Sequence, residues 1–435
     1  MRQPQRLLLV LIVAGYLVVG TLYAVLTPIW QVPDEPAHYN YIRSLAEGRG
    51  LPVLETGDYD QALLGELTSR RFPPELSVAP VEYEDHQPPL YYLLAVPFYL
   101  VFGGAVVPLR MFSVGLGAAL LVVAFAVVRA VFPARTGLAL AVSAFIAFIP
   151  QHVAMSAGVN NDVLGELVLA ATLWVLVGYV DGRRERPWLV GLLLGVALLT
   201  KTTAYIAVGA AGVAVVLRYR TERRTLRWVA TELAVMAIPA LVLSAPWFFR
   251  NGSTYGWDDP LGLARHDDVV AGQPRSSEWL ATYGWVGLGR QLVRTTFRSF
   301  WGQFGWMGVV LPAYIYQALA LLSILLTGGF VLWLVDRRRP RLSSSQRTAL
   351  AVLAVSALLT ALAFLWYNLT FVQHQGRYLY PALVPTGIAA MLGLGRLVAP
   401  VPERVRPWAT GSLFAAMFLL DLVCLFRFII PMLSR

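Results

Sequence analysis

Apolar residues in this chain fall into long unbroken blocks, without the alternation of a half-buried strand or the polar stripe of a soluble amphipathic helix. Eleven blocks, at 7–29, 107–132, 137–155, 163–180, 188–199, 202–217, 228–249, 313–335, 349–366, 382–397 and 408–430, read as helices crossing hydrocarbon, which takes about 20 apolar residues each. The pieces 188–199 and 202–217 are short and abut each other. A further segment, 90–102, is apolar but short and carries Pro97. The fold class that follows is an all-α polytopic membrane protein of about eleven spanning helices, organised as one transmembrane domain over 1–435.

Arginine placement orients it. If 90–102 rests in the outer interface without crossing, the inside loops hold Arg129 and Arg135; Arg183, Arg184 and Arg186; Arg218, Arg220, Arg223, Arg224 and Arg227; Arg337, Arg338, Arg339, Arg341 and Arg347; and Arg396, Arg404 and Arg406. If it crossed, every cluster would face outward, against the bias of basic residues to the cytoplasmic side. The N-terminus is then cytoplasmic, and the run 7–29 is too long for a signal peptide and has no small-residue cleavage site after it. Two long loops lie outside. The first, 30–106, is acidic and proline-rich at its start, and its stretch 37–47 has the spacing of a helix lying on the membrane surface. The second, 250–312, is rich in Trp, Tyr and Gly, and its amphipathic stretch 279–300 predicts an ordered helix.

Composition agrees with this picture and narrows the chemistry. Hydrophobic residues make up 57% of the 435 and charged ones only 14%, where a soluble domain carries about a quarter. The net charge of +10 belongs to the inside loops, and no nucleic-acid partner is expected. Cys424 is the only cysteine, so neither an intrachain disulfide nor a cysteine zinc site can form. The arginine-for-lysine bias suits a GC-rich bacterial or archaeal source.

Five clusters can carry chemistry, and all fall outside. Val32-Pro33-Asp34-Glu35-Pro36-Ala37-His38 places paired carboxylates at the water boundary, where they are either first-turn acids for the next helix or catalytic groups. Asp85-His86-Gln87-Pro88-Pro89-Leu90-Tyr91-Tyr92 holds a histidine before a rigid turn, with two prolines that are either a helix-start device or part of a site. Asn160-Asn161-Asp162 is either a helix cap or a third acid that, with others, can bind a divalent cation through oxygen. Lys201 is the sole lysine and stands between apolar segments with Thr202 and Thr203, either snorkelling or binding an anion. Gln373-His374-Gln375-Gly376-Arg377-Tyr378 sets an arginine against the charge bias, and a guanidinium beside a tyrosine suits phosphate oxygens. Arg110 has the same oddity with a weaker case.

Taken together, these motifs resemble the lipid-carrier-dependent glycosyltransferases of the C-type fold, the group of the protein O-mannosyltransferases and the aminoarabinose transferases of lipid A. The resemblance rests on Asp34-Glu35 after the first helix, the Pro88-Pro89-Leu90 turn, Asp162, Lys201 and Arg377-Tyr378, and the spacing through His38 is closest to bacterial members. It covers about 7–250 well and 366–385 locally, and Gln87 departs from the usual His-Pro-Pro. It implies a polyprenyl-phosphate-linked sugar donor in the inner (plasma) membrane and an extracytoplasmic acceptor that is lipid, glycan or protein. Asp34 would be the general base of an inverting transfer, with Glu35, His38, His86, Asp162, Lys201, Arg377 and Tyr378 binding donor and substrate. Asp162, Glu35 and His86 would either hold a divalent metal ion or orient the sugar. The alternative is a transporter or flippase, although such proteins keep their ionisable residues near the bilayer midplane, and here the spanning interiors hold little beyond Glu166 and Asp421.

Overall fold

A computed structural model describes residues 3–183, 186–337 and 341–434, so the inside-loop residues Arg184, Arg338 and Arg339 lie outside the described residues. The fold is helical almost throughout; among the described residues the only sheet is the two-residue pair Gln303–Phe304 with Val309–Val310 in the second long loop. Nine helices are long and apolar enough to span a membrane among these residues. The tenth expected span is broken: Thr136–Ala147 bends by 69° into Pro150–Ser156, because Pro150 cannot continue the ladder. The eleventh, Pro187–Leu198, has 12 residues and is about 18 Å long, so it crosses only part of the hydrocarbon.

Large apolar side chains point outward along the spans, among them Val10, Leu11, Leu241, Val242 and Ile324. Such exposure is what lipid solvates and water would not. Helix Asp162–Val180 is the centre of the bundle, with most of its length buried against Val106–Val131. Helix Pro187–Leu198 lies along Leu226–Tyr255, and Ala313–Val335 along Leu383–Leu397. Both contacts depend on glycine: a side chain at Gly191 would strike the Met236 carbonyl, and one at Gly393 the Leu326 carbonyl. Small residues of this kind let helix backbones touch where no hydrophobic effect drives them together.

The first long loop is a folded cap with a small core of its own, from Ala37, Leu67, Phe72, Val81 and Tyr83. The segment expected at the interface forms the helix Leu90–Val101, 12 residues with Pro97 inside. The stretch expected to lie on the membrane surface forms Glu35–Ala46, but Ala37, Tyr41 and Ile42 are fully buried. It packs on Leu90–Val101 and is enclosed by protein. In the second long loop the amphipathic stretch forms Ser276–Trp301, kinked at Gly284, where φ is 65°.

Candidate active site

The end of the first helix, Gln3–Leu26, and the start of Glu35–Ala46 are joined by a proline-flanked turn in which Asp34 takes a left-handed conformation, φ 67° and ψ −4°. Such geometry is uncommon outside glycine and least costly for Asp and Asn. Asp34 stands at the helix N-cap, yet its side chain makes no capping bond. The turn aims the carboxylate away from the helix: Oδ1 accepts a 2.7 Å hydrogen bond from the Tyr83 hydroxyl, and Oδ2 pairs with the Arg377 guanidinium.

Arg377 arrives from 343 residues away. It lies in the tight helix Gly376–Ala382, where a side chain on Gly376 would strike the backbone of Thr296 and Phe300. Its guanidinium sits 5.2 Å from the Tyr378 ring and reaches toward Asp162 at 3.8 Å, and its Nε is buried without a hydrogen-bond partner among the described residues. Asp162 opens the central helix and pairs with Lys201 at 2.5 Å. Lys201 is presented from an extended residue between Pro187–Leu198 and Thr202–Tyr205, and also donates to Asn161 Oδ1 at 2.7 Å. Two carboxylates and two cations from four separate parts of the chain thus alternate in one charge-balanced cluster, in the order Asp34, Arg377, Asp162, Lys201.

Around the cluster, His38 Nδ1 lies 2.9 Å from the Tyr92 hydroxyl. Burial, then the Lys201 charge, pushes the His38 pKa down to about 3, so the ring is neutral. Burial alone would raise the Asp34 carboxyl, but Arg377 and the Tyr83 hydroxyl outweigh it and hold the pKa below the ordinary carboxylate value. His86 is buried with its Nδ1 3.2 Å from the Tyr83 carbonyl and its ring 4.6 Å from that of His266. Burial, then His266, holds it neutral. Tyr378 is close to Tyr367, ring to ring at 5.8 Å.

Glu35 departs from the expectation. Its oxygens receive Arg110 Nε at 2.7 Å and Nη2 at 2.6 Å, plus the backbone amides of Trp30 at 3.0 Å and Val159 at 3.2 Å, and both side chains are wholly buried. With its lone pairs spent, Glu35 has nothing to offer donor or metal; it fixes the turn that carries Asp34. The expected metal set is therefore not assembled. Asp162 faces Lys201, His86 faces His266 and Glu35 faces Arg110; among the described residues no three of His, Cys, Asp and Glu gather to hold an ion. Glu166, one turn beyond Asp162, pairs with His152 at 3.0 Å.

Sequence reasoning passed over Tyr83, Glu84 and Tyr367, while Tyr92 closes the second motif it selected. Tyr83 and Glu84 directly precede the Asp85-His86-Gln87-Pro88-Pro89 turn that it did select, and that adjacency was the available signal. An apolar cavity of about 470 Å³ opens between helices at Leu379 of the tight helix, lined also by Phe145, Phe297, Phe300, Leu326 and Phe364 among others. Asp162 stands between the Lys201 and Arg377 cations, Asp34 holds the far side of Arg377, and the apolar cavity opens at Leu379, two residues beyond Arg377.

Comparison with known proteins gives a consistent picture. The profile of the dolichyl-phosphate-mannose-protein mannosyltransferase family matches residues 86–249, which carry the Pro88-Pro89 turn, Asp162 and Lys201. No curated protein matches by sequence. The crystal structure of ArnT from Cupriavidus metallidurans bound to undecaprenyl phosphate is similar with a TM-score of 0.57 at 17% identity, over 98% of this chain and 73% of that one. The apo ArnT structure from the same organism gives 0.53 at 17% identity, over the same shares.

Proposed function

We propose that this chain, a membrane glycosyltransferase of the C-type fold that uses lipid-linked sugars, transfers its sugar with inversion to an extracytoplasmic acceptor, Asp34 acting as general base. The observation that carries the reading is the charge cluster itself: Asp34 and Asp162 share Arg377, and Asp162 also holds Lys201.

The donor is a sugar on a polyprenyl phosphate. Its tail takes the apolar cavity beside Leu379, and its phosphate settles between Lys201 and Arg377. A phosphodiester anion competes with Asp34 for the guanidinium, which matches phosphate oxygens in a bidentate fork. Once Arg377 turns to the phosphate, Asp34 loses the partner that depressed its pKa, and burial then raises its basicity. Donor binding thus arms the base. The acceptor hydroxyl gives its proton to Asp34 and its oxygen attacks the anomeric carbon from the face opposite the phosphate. The carbon–oxygen bond to phosphate breaks, and that oxygen keeps the electron pair. Lys201 and Arg377 stabilise the charge growing there. The leaving phosphate is already acidic, so the second carboxylic acid of a glycosidase has no counterpart here. Asp162 positions the two cations. The outward loops lie on the extracytoplasmic face of the inner membrane, the arginine-rich loops and the N-terminus in the cytoplasm.

Asp34→Asn in membranes supplied with a lipid-linked donor is expected to abolish transfer, by three decades or more, while the protein accumulates normally. Full activity in that variant would remove Asp34 from the role of base.

A further inference from the structure

A second cavity takes no part in the mechanism above. It measures about 840 Å³ and opens where five helices meet: the first half of Gln3–Leu26, Thr136–Ala147, the end of Ala313–Val335, Leu383–Leu397 and the start of Arg406–Val423. Helix geometry places it at the far side of the membrane from the charge cluster. Gln3–Leu26 touches the cavity at Leu8 and Ile12 and leads at its other end into the turn of Asp34. Leu383–Leu397 follows the tight helix of Arg377 directly and reaches the cavity at Arg396. At 1.5 Å per residue, Leu8 lies about 27 Å from Leu26, and Arg396 about 20 Å from Leu383.

Its walls change character along one leaflet. From Gly137 to Phe148 the cavity follows about 17 Å of helix, close to the roughly 15 Å of half a hydrocarbon core. That stretch is apolar, with Leu140, Ala144, Phe148, Met391 and Phe414, and a Cβ added at Gly137, Gly395 or Gly411 would meet nothing within 4 Å. The mouth holds Arg135, Arg396 and Arg406 with one carboxylate, Asp336, and Trp333 lies one turn before it, a residue type that favours the headgroup level. Asp336 faces Arg396 Nε at 3.3 Å. Arg406 donates Nε and Nη2 to the Val401 and Ala399 carbonyls, both at 2.7 Å, and is 3.8 Å from Glu403, whose side chain is 89% exposed. Arg135 has its guanidinium 5.5 Å from the Phe132 ring and no carboxylate partner among the described residues. Positive charge therefore exceeds negative at the mouth of an apolar groove one leaflet deep.

We propose that this groove binds one anionic phospholipid of the leaflet opposite the candidate active site, the cytoplasmic leaflet in the orientation proposed above. Its phosphate sits at Arg135, Arg396 and Arg406, and an acyl chain runs along Phe148 and Phe414. Basic pockets between spanning helices hold lipid phosphates in this way, and guanidinium groups match them in a fork. A zwitterionic lipid brings an ammonium group to the same arginines, so the surplus charge selects a net negative head. The sugar donor is not the occupant, because its phosphate reacts at the other face of the bundle. A lipid held here ties the start of Arg406–Val423 to Gln3–Leu26 and Leu383–Leu397, and stabilises the fold by mass action.

The test uses the full chain purified in detergent, with phosphatidylglycerol, phosphatidylcholine, undecaprenyl phosphate and inorganic phosphate as probes. Native mass spectrometry and the unfolding midpoint are the readouts. Phosphatidylglycerol should stay bound as one molecule per chain and raise the midpoint, and phosphatidylcholine with the same acyl chains should bind about tenfold or more weakly. Inorganic phosphate, which has no chain, should do neither at the same concentrations. Arg135→Gln combined with Arg396→Gln should lower phosphatidylglycerol affinity by about tenfold or more, while Arg404→Gln, at an exposed arginine outside the cavity lining, should leave it unchanged. Undecaprenyl phosphate should bind the double variant and the wild type alike. Five results would overturn the assignment: equal binding of the two phospholipids, stabilisation by inorganic phosphate alone, an unchanged double variant, an equal loss in Arg404→Gln, or undecaprenyl phosphate binding that the double variant loses. The last would give the groove to the carrier lipid. Selectivity between the two phospholipids is read in the wild type, so the test survives a double variant that fails to accumulate.

Discussion

The Glu35–Arg110 pair yields the sharpest quantitative test, because it separates scaffold from chemistry in adjacent residues. Arg110 sits inside the bundle with no solvent exposure; beyond Glu35, it donates to the carbonyls of Thr27 at 2.7 Å, Ala24 at 3.0 Å and Pro28 at 3.1 Å. Glu35→Ala deletes the only negative charge bound to it and also orphans the amides of Trp30 and Val159. Removing one partner of a buried pair costs roughly 3–5 kcal/mol, and the two orphaned amides press toward the upper end. At about 1.4 kcal/mol per decade, the folded population relative to unfolded should fall by roughly two to four decades. Reversible detergent-induced unfolding of the full chain, followed by tryptophan fluorescence, measures it. Glu35→Gln keeps the shape without the charge and should fall between. A Glu35→Ala protein with the wild-type unfolding midpoint that nonetheless fails to transfer sugar would place Glu35 in the chemistry and refute the reasoning.

Two further outcomes follow from the charge cluster. Lys201→Ala and Arg377→Ala should each weaken binding of the lipid-linked donor, by about tenfold or more for a lost charge-assisted contact, and leave the choice of acceptor unchanged; a shifted acceptor preference with intact donor affinity would reverse their roles. Because Asp34 is depressed in the folded protein, its contribution to stability is present above the ordinary carboxylate pKa, about 3.9, and is lost as pH falls through the lower folded value. Below about pH 4 the unfolding midpoint of the wild type should therefore fall more steeply than that of Asp34→Asn, and parallel acid limbs would contradict the pairing with Arg377.

Much of this was legible before any coordinates, because hydropathy and arginine placement are properties of single residues. Block length located each spanning helix, and the two that differ in form from the rest are those where a local feature intervenes, the bend at Pro150 and the 12 residues of Pro187–Leu198. The residues of the charge cluster were recognisable because charge is expensive at a membrane boundary and basic residues gather on the inner side, so Lys201 stood out against an apolar background and Arg377 against an outer face poor in basic residues. Glu35 was misread because adjacency in sequence says nothing about direction: one residue after Asp34, its side chain points into the bundle. Only the position of Arg110 on another helix reveals that.

The left-handed backbone at Asp34 constrains how its chemistry can be interrogated. A saturation screen at this position would report two quantities at once, the loss of a carboxylate and the discomfort of a bulkier or β-branched residue forced into that torsional well. Asparagine leaves the torsion almost unpenalised while removing the negative charge, and glycine tests the torsion with the whole side chain gone. Rankings drawn from alanine or valine replacements there would blend conformational strain with catalysis and overstate the latter.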